Sequence, residues 1–126
     1  MTEITDPIAY HLVPAEAWEA APDGEPFRAA SLDTEGFVHL THRMVDLVDV
    51  GNAYYRADPR AYIVLTIAFR WLTSPARYDG DERYPHVYGP IDRAAITEAR
   101  PIPRAADGRF LPIERPDERL VREHGG

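Results

Sequence analysis

The chain predicts an α+β domain, and three observations carry that prediction. Phe37-Val38-His39-Leu40-Thr41 alternates with the period of a strand, then hands over at His42 to apolar residues at helical spacing. Ala61 to Phe69 is a near-continuous β-prone run, the pattern of a strand buried on both faces. The remaining β-prone runs are short and isolated among few helical stretches, which fits segregated strands and helices. At 126 residues the chain reads as one domain over 1–126, with one core.

In order, Met1 to Pro7 is a polar lead-in, and Ile8 to Val13 is a first strand stopped by Pro14. Ala15 to Ala21 has high helix propensity with Pro14 at its first turn, and Pro22-Asp23-Gly24 ends it. Trp18 would pin this helix to the sheet. Glu25 to Leu32 is irregular, with a short strand at Phe27 to Ala30, and Asp33 to Gly36 reads as a turn. Phe37 to Thr41 is the next strand. Met44, Leu47, Val48, Tyr54 and Tyr55 then form a helical stripe, with Thr41 as candidate N-cap and Asp58-Pro59 as its end. Ala61 to Phe69 is the central strand. Arg70 to Arg83 reads as a mobile surface loop, and Tyr84 to Ile91 as an extended piece fenced by prolines. One helical turn at Asp92 to Ala95 and a strand at Ile96 to Ile102 follow. The segment 103–126 is a C-terminal extension, with a strand near Phe110 to Ile113.

Composition narrows the function. The formal net charge of -7 disfavours a nucleic-acid backbone as default partner, so a small-molecule ligand is expected. All 14 cations are arginine, which rules out a Schiff-base lysine and a Walker-type phosphate loop. With no cysteine there is no disulfide, thiolate nucleophile or cysteine zinc site. No apolar run approaches the roughly 18 residues of a membrane span, and the N-terminus lacks a signal-type pattern, so a cytoplasmic protein is expected.

Histidine carries the candidate chemistry, because its proton is exchanged most easily near neutral pH. His11 and His39 each sit near a strand end, where neighbouring strands can place them side by side, and His86 comes from a third extended element. The alternative is a core histidine bonded to backbone carbonyls. His39-x-x-His42 has the look of a metal pair, with His11 or His86 as third ligand, yet a strand-to-helix junction does not make the rings converge. No metal site is therefore assigned, and His42 is read as a first-turn helix residue facing solvent. Tyr54, Tyr55 and Tyr88 supply faces for a planar ligand, unless one of the first two simply packs its helix on the sheet. Arg28 and Ser31 are placed to meet a phosphate or carboxylate. Glu35, Asp33 and Glu98 show no spacing of a catalytic carboxylate pair, and Glu35 is read as a solvated turn residue.

Taken as ordered blocks, Tyr10-His11-Leu12, Phe27 to Leu32, Glu35 to Thr41 and Pro85 to Pro90 resemble the bacterial family catalogued as domain of unknown function 952, over about residues 8–102. That resemblance implies a reduced ADP-ribosyltransferase-like fold of split sheets with a few short helices, holding NAD in a cleft. More faintly, the chain is similar to the RNA 2′-phosphotransferase branch of that superfamily. The likeness would match His11 to a first-strand histidine and His39 to a later one that help bind NAD, with Thr41 where that branch has serine. With His86 from the third extended element, His11, His39 and His86 are the catalytic candidates. Tyr54 or Tyr55 would line the nicotinamide side, and the cofactor-binding candidates, taken with the residue reading above, are Arg28, Ser31, Thr41, Tyr54 and Tyr88. The late-strand glutamate of many such transferases has no counterpart with a supporting motif; Glu98 is the one acidic residue in a late strand. Two other readings stand beside this one: a non-catalytic small-ligand module, and a histidine-based metal-assisted enzyme on a small metabolite.

Overall fold

The structure is a computed structural model and describes residues 2–113. Among the described residues, β1 (Ile8–Pro14), β3 (Tyr62–Ala68) and β6 (Ile96–Pro101) form an antiparallel sheet in the order β1-β3-β6. A second antiparallel sheet, of β2 (Val38–His39), β5 (Pro85–Val87) and β4 (Ala76–Tyr78), runs in the order β2-β5-β4. The helices are short: α1 (Ala15–Ala20), α2 (Ala30–Thr34) and α3 (Met44–Tyr54). The domain is α+β, as the sequence predicts.

β3 is the predicted central strand, paired with β1 on one side and β6 on the other. Its alternation divides the core in two. Leu65 and Ile67, with Ala9 and Val13 of β1, pack against Val38, Leu40 and Val87 beneath the second sheet. Tyr62 and Val64 face the other way, onto Leu47 of α3 and onto Ile102 and Phe110. Each fully buried Leu or Ile contributes about 1.5–3 kcal/mol by leaving water, so these facing rows hold the layers together. The sheets join where Tyr10 and Thr41 exchange backbone hydrogen bonds of 2.7 and 2.8 Å.

Several local expectations are corrected. Thr41 does not cap the following helix. It is buried in the junction, α3 begins at Met44 after Arg43, and no side chain caps it. His42 precedes that helix instead of lying in its first turn, and its side chain is only 8% exposed. Its Nδ1–H donates to the Ile8 carbonyl at 2.8 Å, and the Tyr78 hydroxyl donates to Nε2 at 2.7 Å. The strand read at Phe27 to Ala30 is a single bridge, Phe27 to Ile91, followed by α2, which takes in part of the predicted turn. The stretch read as a loop from Arg70 to Arg83 contains β4, because Ala76 and Tyr78 find partners in Val87 and Pro85. In the extension, Phe110 makes one bridge to Arg104 instead of a strand, and residues 114–126 lie outside the described residues.

Candidate functional site

The second sheet has two faces of opposite character, and its register sets both. Val38, Val87 and Ala76 are direct cross-strand partners and turn inward to the core. One residue along, His39, Val87's neighbour His86 and Arg77 are likewise direct partners, so they form a row across β2, β5 and β4 on the outer face. Phe37 and Tyr88 lie two residues from His39 and His86 and extend that face. The ring centroids of His39 and His86 are 5.3 Å apart. Phe37 stacks on His86 at 4.1 Å with planes 20° apart, and stands 4.8 Å from His39 and 5.5 Å from Tyr88.

Each imidazole of the row has its own carboxylate. His39 Nε2–H donates to Glu35 at 3.0 Å, and His86 Nδ1–H donates to Asp79 at 2.7 Å. In the neutral forms this leaves His39 Nδ1 and His86 Nε2 as the basic nitrogens. Asp79 also accepts from the Tyr88 hydroxyl on the oxygen that His86 uses, and from Arg77 Nε on the other at 2.8 Å. These donors, Tyr88 and Arg77 before His86, hold the Asp79 carboxyl well below the usual range, so it is ionised. The same hydrogen bond pushes the Tyr88 hydroxyl up. Arg77 keeps its guanidinium 4.2 Å over the Tyr88 ring.

Glu35 owes its place to local backbone geometry. The Ser31 carbonyl accepts from the N–H groups of Glu35 and Gly36 at 2.7 and 3.1 Å. Gly36 then takes φ 86°, a left-handed conformation that turns the chain back into β2 within one residue. Glu35 also lies within electrostatic reach of Tyr55, whose hydroxyl is pushed up first by burial and then by that charge.

The predicted site residues separate. His39, His86 and Tyr88 come together on the outer face. His11 lies beneath them, 8% exposed, and its Nδ1–H donates to the His39 carbonyl at 2.8 Å. Burial lowers its pKa to about 4, so at neutral pH it is an uncharged prop for the His39 backbone. Arg28 is tied to Asp33 through Nε and Nη2 at 3.2 and 2.8 Å. It lines a groove of about 660 Å³ with Pro90, Glu25 and residues of α1, and none of Phe37, His39, His86 and Tyr88 lines that groove. Thr41 is buried at the sheet junction, and Tyr54 stands 77% exposed at the end of α3. His39 and His42 have different partners, and among the described residues no three His, Cys, Asp or Glu side chains are grouped to hold one metal ion. Glu98 lies on β6, with Oε1 3.5 Å from the Thr66 hydroxyl.

Sequence reasoning missed Glu35, Asp79 and Arg77. Glu35 had a signal, since Glu-Gly-x-x-His lets a tight turn fold a carboxylate onto a strand residue. Asp79 and Arg77 depend on the pairing of β4, a strand of three residues, too short for its alternation to reveal it.

The chain belongs to the family described as "Protein of unknown function (DUF952)", whose model matches residues 12–99. The crystal structure of protein CC0527 from Caulobacter crescentus is similar at 19% identity, covering 93% of this chain and 96% of that one, with a TM-score of 0.70. A double mutant of that protein gives 18% identity, the same coverage of 93% and 96%, and 0.69. Its solution NMR structure gives 23% identity, coverage of 80% and 89%, and 0.60. These likenesses show the fold. No curated protein matches the chain. Among the described residues no helix is long and apolar enough to cross a membrane.

Proposed function

We propose that this protein binds a small nucleotide-like ligand on the outer face of the second sheet, with NAD the first candidate and an ADP-ribosyltransferase-like reaction the use made of it. The observation that carries this reading is the cross-strand pair His39–His86, each imidazole held by its own carboxylate and flanked by Phe37 and Tyr88. Aromatic rings receive a planar base, and Arg77, the cross-strand partner of His86, supplies a cation for a diphosphate. Breaking the bond from ribose to nicotinamide leaves an oxocarbenium-like sugar. Glu35 and the ionised Asp79 are the carboxylates at hand to stabilise it, and His39 is the base for an acceptor hydroxyl. The resemblance supports NAD over other nucleotides, and the working compartment is the cytoplasm.

A thermal-shift titration with NAD, ADP-ribose and nicotinamide tests the reading. A ligand specific for the folded state adds about 2.7 kcal/mol at a concentration of 100 Kd. A saturable rise in Tm is expected with NAD or ADP-ribose, lost in His39→Ala and His86→Ala. No rise with any of the three, or an equal rise in both variants, refutes it.

A further inference from the structure

The paired imidazoles do more than NAD cleavage asks of them. Nicotinamide leaves as a neutral molecule, so that reaction calls for a base at the acceptor and no acid at the leaving group. Here two oriented imidazoles stand in one row with an arginine, His39–His86–Arg77. Neighbouring strands are about 4.8 Å apart, so the row spans roughly 10 Å, and its two imidazoles stand 5.3 Å apart between ring centroids, a separation that lets them flank one phosphorus. We infer that this row hydrolyses a small phosphodiester by paired acid–base catalysis, with Arg77 holding the phosphate. The inference rests on the reading that this sheet face is the ligand site, and it does not need NAD.

The orientations assign the roles. His86 has Nδ1 committed to Asp79 at 2.7 Å, and that carboxylate is the less exposed of the two, 30% against 50% for Glu35. An ionised, partly desolvated partner suits the imidazole that carries the proton, so His86 is the acid and presents Nε2–H. His39, committed through Nε2 to Glu35, presents Nδ1 as the base. The step balances with water alone. Water adds to phosphorus through its oxygen and gives a proton to His39 Nδ1. The bond from phosphorus to one ester oxygen breaks, and His86 Nε2–H protonates that departing alkoxide. A phosphomonoester and an alcohol result, and one proton has passed from nucleophile to leaving group. Arg77 spends Nε on Asp79 and a further hydrogen bond on Tyr88, whose ring it overlies, which leaves its other terminal N–H groups for the non-bridging oxygens. The net charge of -7 restricts the substrate to a small diester, since a polynucleotide would be repelled.

Two probes separate acid from base. Uridine 2′,3′-cyclic phosphate expels a ribose alkoxide that must be protonated, whereas bis-nitrophenyl phosphate expels a nitrophenolate that leaves without a proton. The full chain should hydrolyse both, with a bell-shaped pH profile for the cyclic phosphate only. His39→Gln should lose roughly 100-fold or more on both probes, and His86→Gln should lose as much on the cyclic phosphate alone. Arg77→Gln should raise KM more than it lowers kcat. The variants' melting curves establish that each is folded. Turnover no greater than that of the His39→Gln/His86→Gln double variant overturns the inference, as does equal loss on both probes in His86→Gln. An NAD-dependent shift without diester turnover refutes this inference and leaves the NAD reading standing. Turnover without an NAD shift does the reverse.

Discussion

Lowering the pH from 7 to 4 should cost this domain about 3 kcal/mol through His11 alone. His11 is 8% exposed, and burial lowers its pKa in the folded protein from 6.5 to about 4. The unfolded chain therefore binds this proton near pH 6.5, while the folded chain resists it until about pH 4. In that window the unfolded state carries more protons, so stability rises with pH, and the contribution is fully present above about 6.5. It drains away as the pH falls toward 4. Asp58 and Asp79 have depressed pKa values too, and their contributions are lost lower still, below the ordinary carboxylate range. Urea unfolding at half-unit pH steps reads the effect directly. His11→Asn serves as reference, because its side-chain amide keeps an N–H for the His39 carbonyl and does not titrate. The difference in stability between the two proteins should change by about 3 kcal/mol from pH 7 to 4, in the direction that favours the variant in acid. Parallel pH profiles, or an imidazole NMR titration of His11 with its midpoint near 6.5, would refute the account of His11 as a neutral prop.

Three further outcomes follow from packing and backbone geometry. Ala normally gains about 1 kcal/mol over Gly in a helix. Gly51→Ala should instead lose stability, because its Cβ would stand 2.9 Å from Phe110 Cδ2 and 3.3 Å from Leu12, and overpacking costs about 1–3 kcal/mol. A denaturation midpoint at or above wild type would contradict the Phe110 contact. Gly36→Ala meets no atom within 4 Å yet must adopt φ 86°, so it should cost about 1–2 kcal/mol of strain. It should also loosen Glu35 from His39, seen as a change in the His39 imidazole resonances. In Asp79→Asn the Tyr88 hydroxyl loses its ionised partner, so its ionisation should fall back toward the ordinary 10.0, followed by NMR of labelled tyrosine. An unchanged midpoint there would mean that Tyr88 does not donate to Asp79.

Elements held by their own periodicity were legible in the sequence, and elements held by a partner were not. Ala61 to Phe69 announces β3 because both of its faces are buried, so nearly every position is apolar. α3 announces itself through Leu47 and Val48, although its start is displaced because the N-cap expected at Thr41 is used up in the bridge to Tyr10. β4 is silent: Ala76-Arg77-Tyr78 is only three residues, too short for its alternation to stand out, and it is a strand because Val87 and Pro85 lie beside it. α2 is short too, at five residues, and its Ser31 carbonyl spends itself on the Glu35 turn.

The same distinction explains the site. Period two placed Phe37 and His39 on one face, and the structure keeps them 4.8 Å apart. It did not reveal that His39 and His86 are register partners, since register is a property of two strands and His86 sits in a stretch of only three residues. Nor did it separate His11 from the others, although His11 also lies on a strand. What sets His11 apart is tertiary. β1 is covered on both sides, so its odd positions, Ala9, His11 and Val13, face the core, whereas the second sheet is covered on one side only. A histidine on a doubly covered strand is driven to neutrality and a backbone carbonyl. A histidine on the open face of a singly covered sheet keeps a nitrogen free and draws a carboxylate to its other one. The difference between His11 as a prop and the pair His39–His86 as acid–base groups is thus a difference in how many layers cover the strand. That makes the outer face of β2-β5-β4, and not the first strand, the place where chemistry is available to this fold.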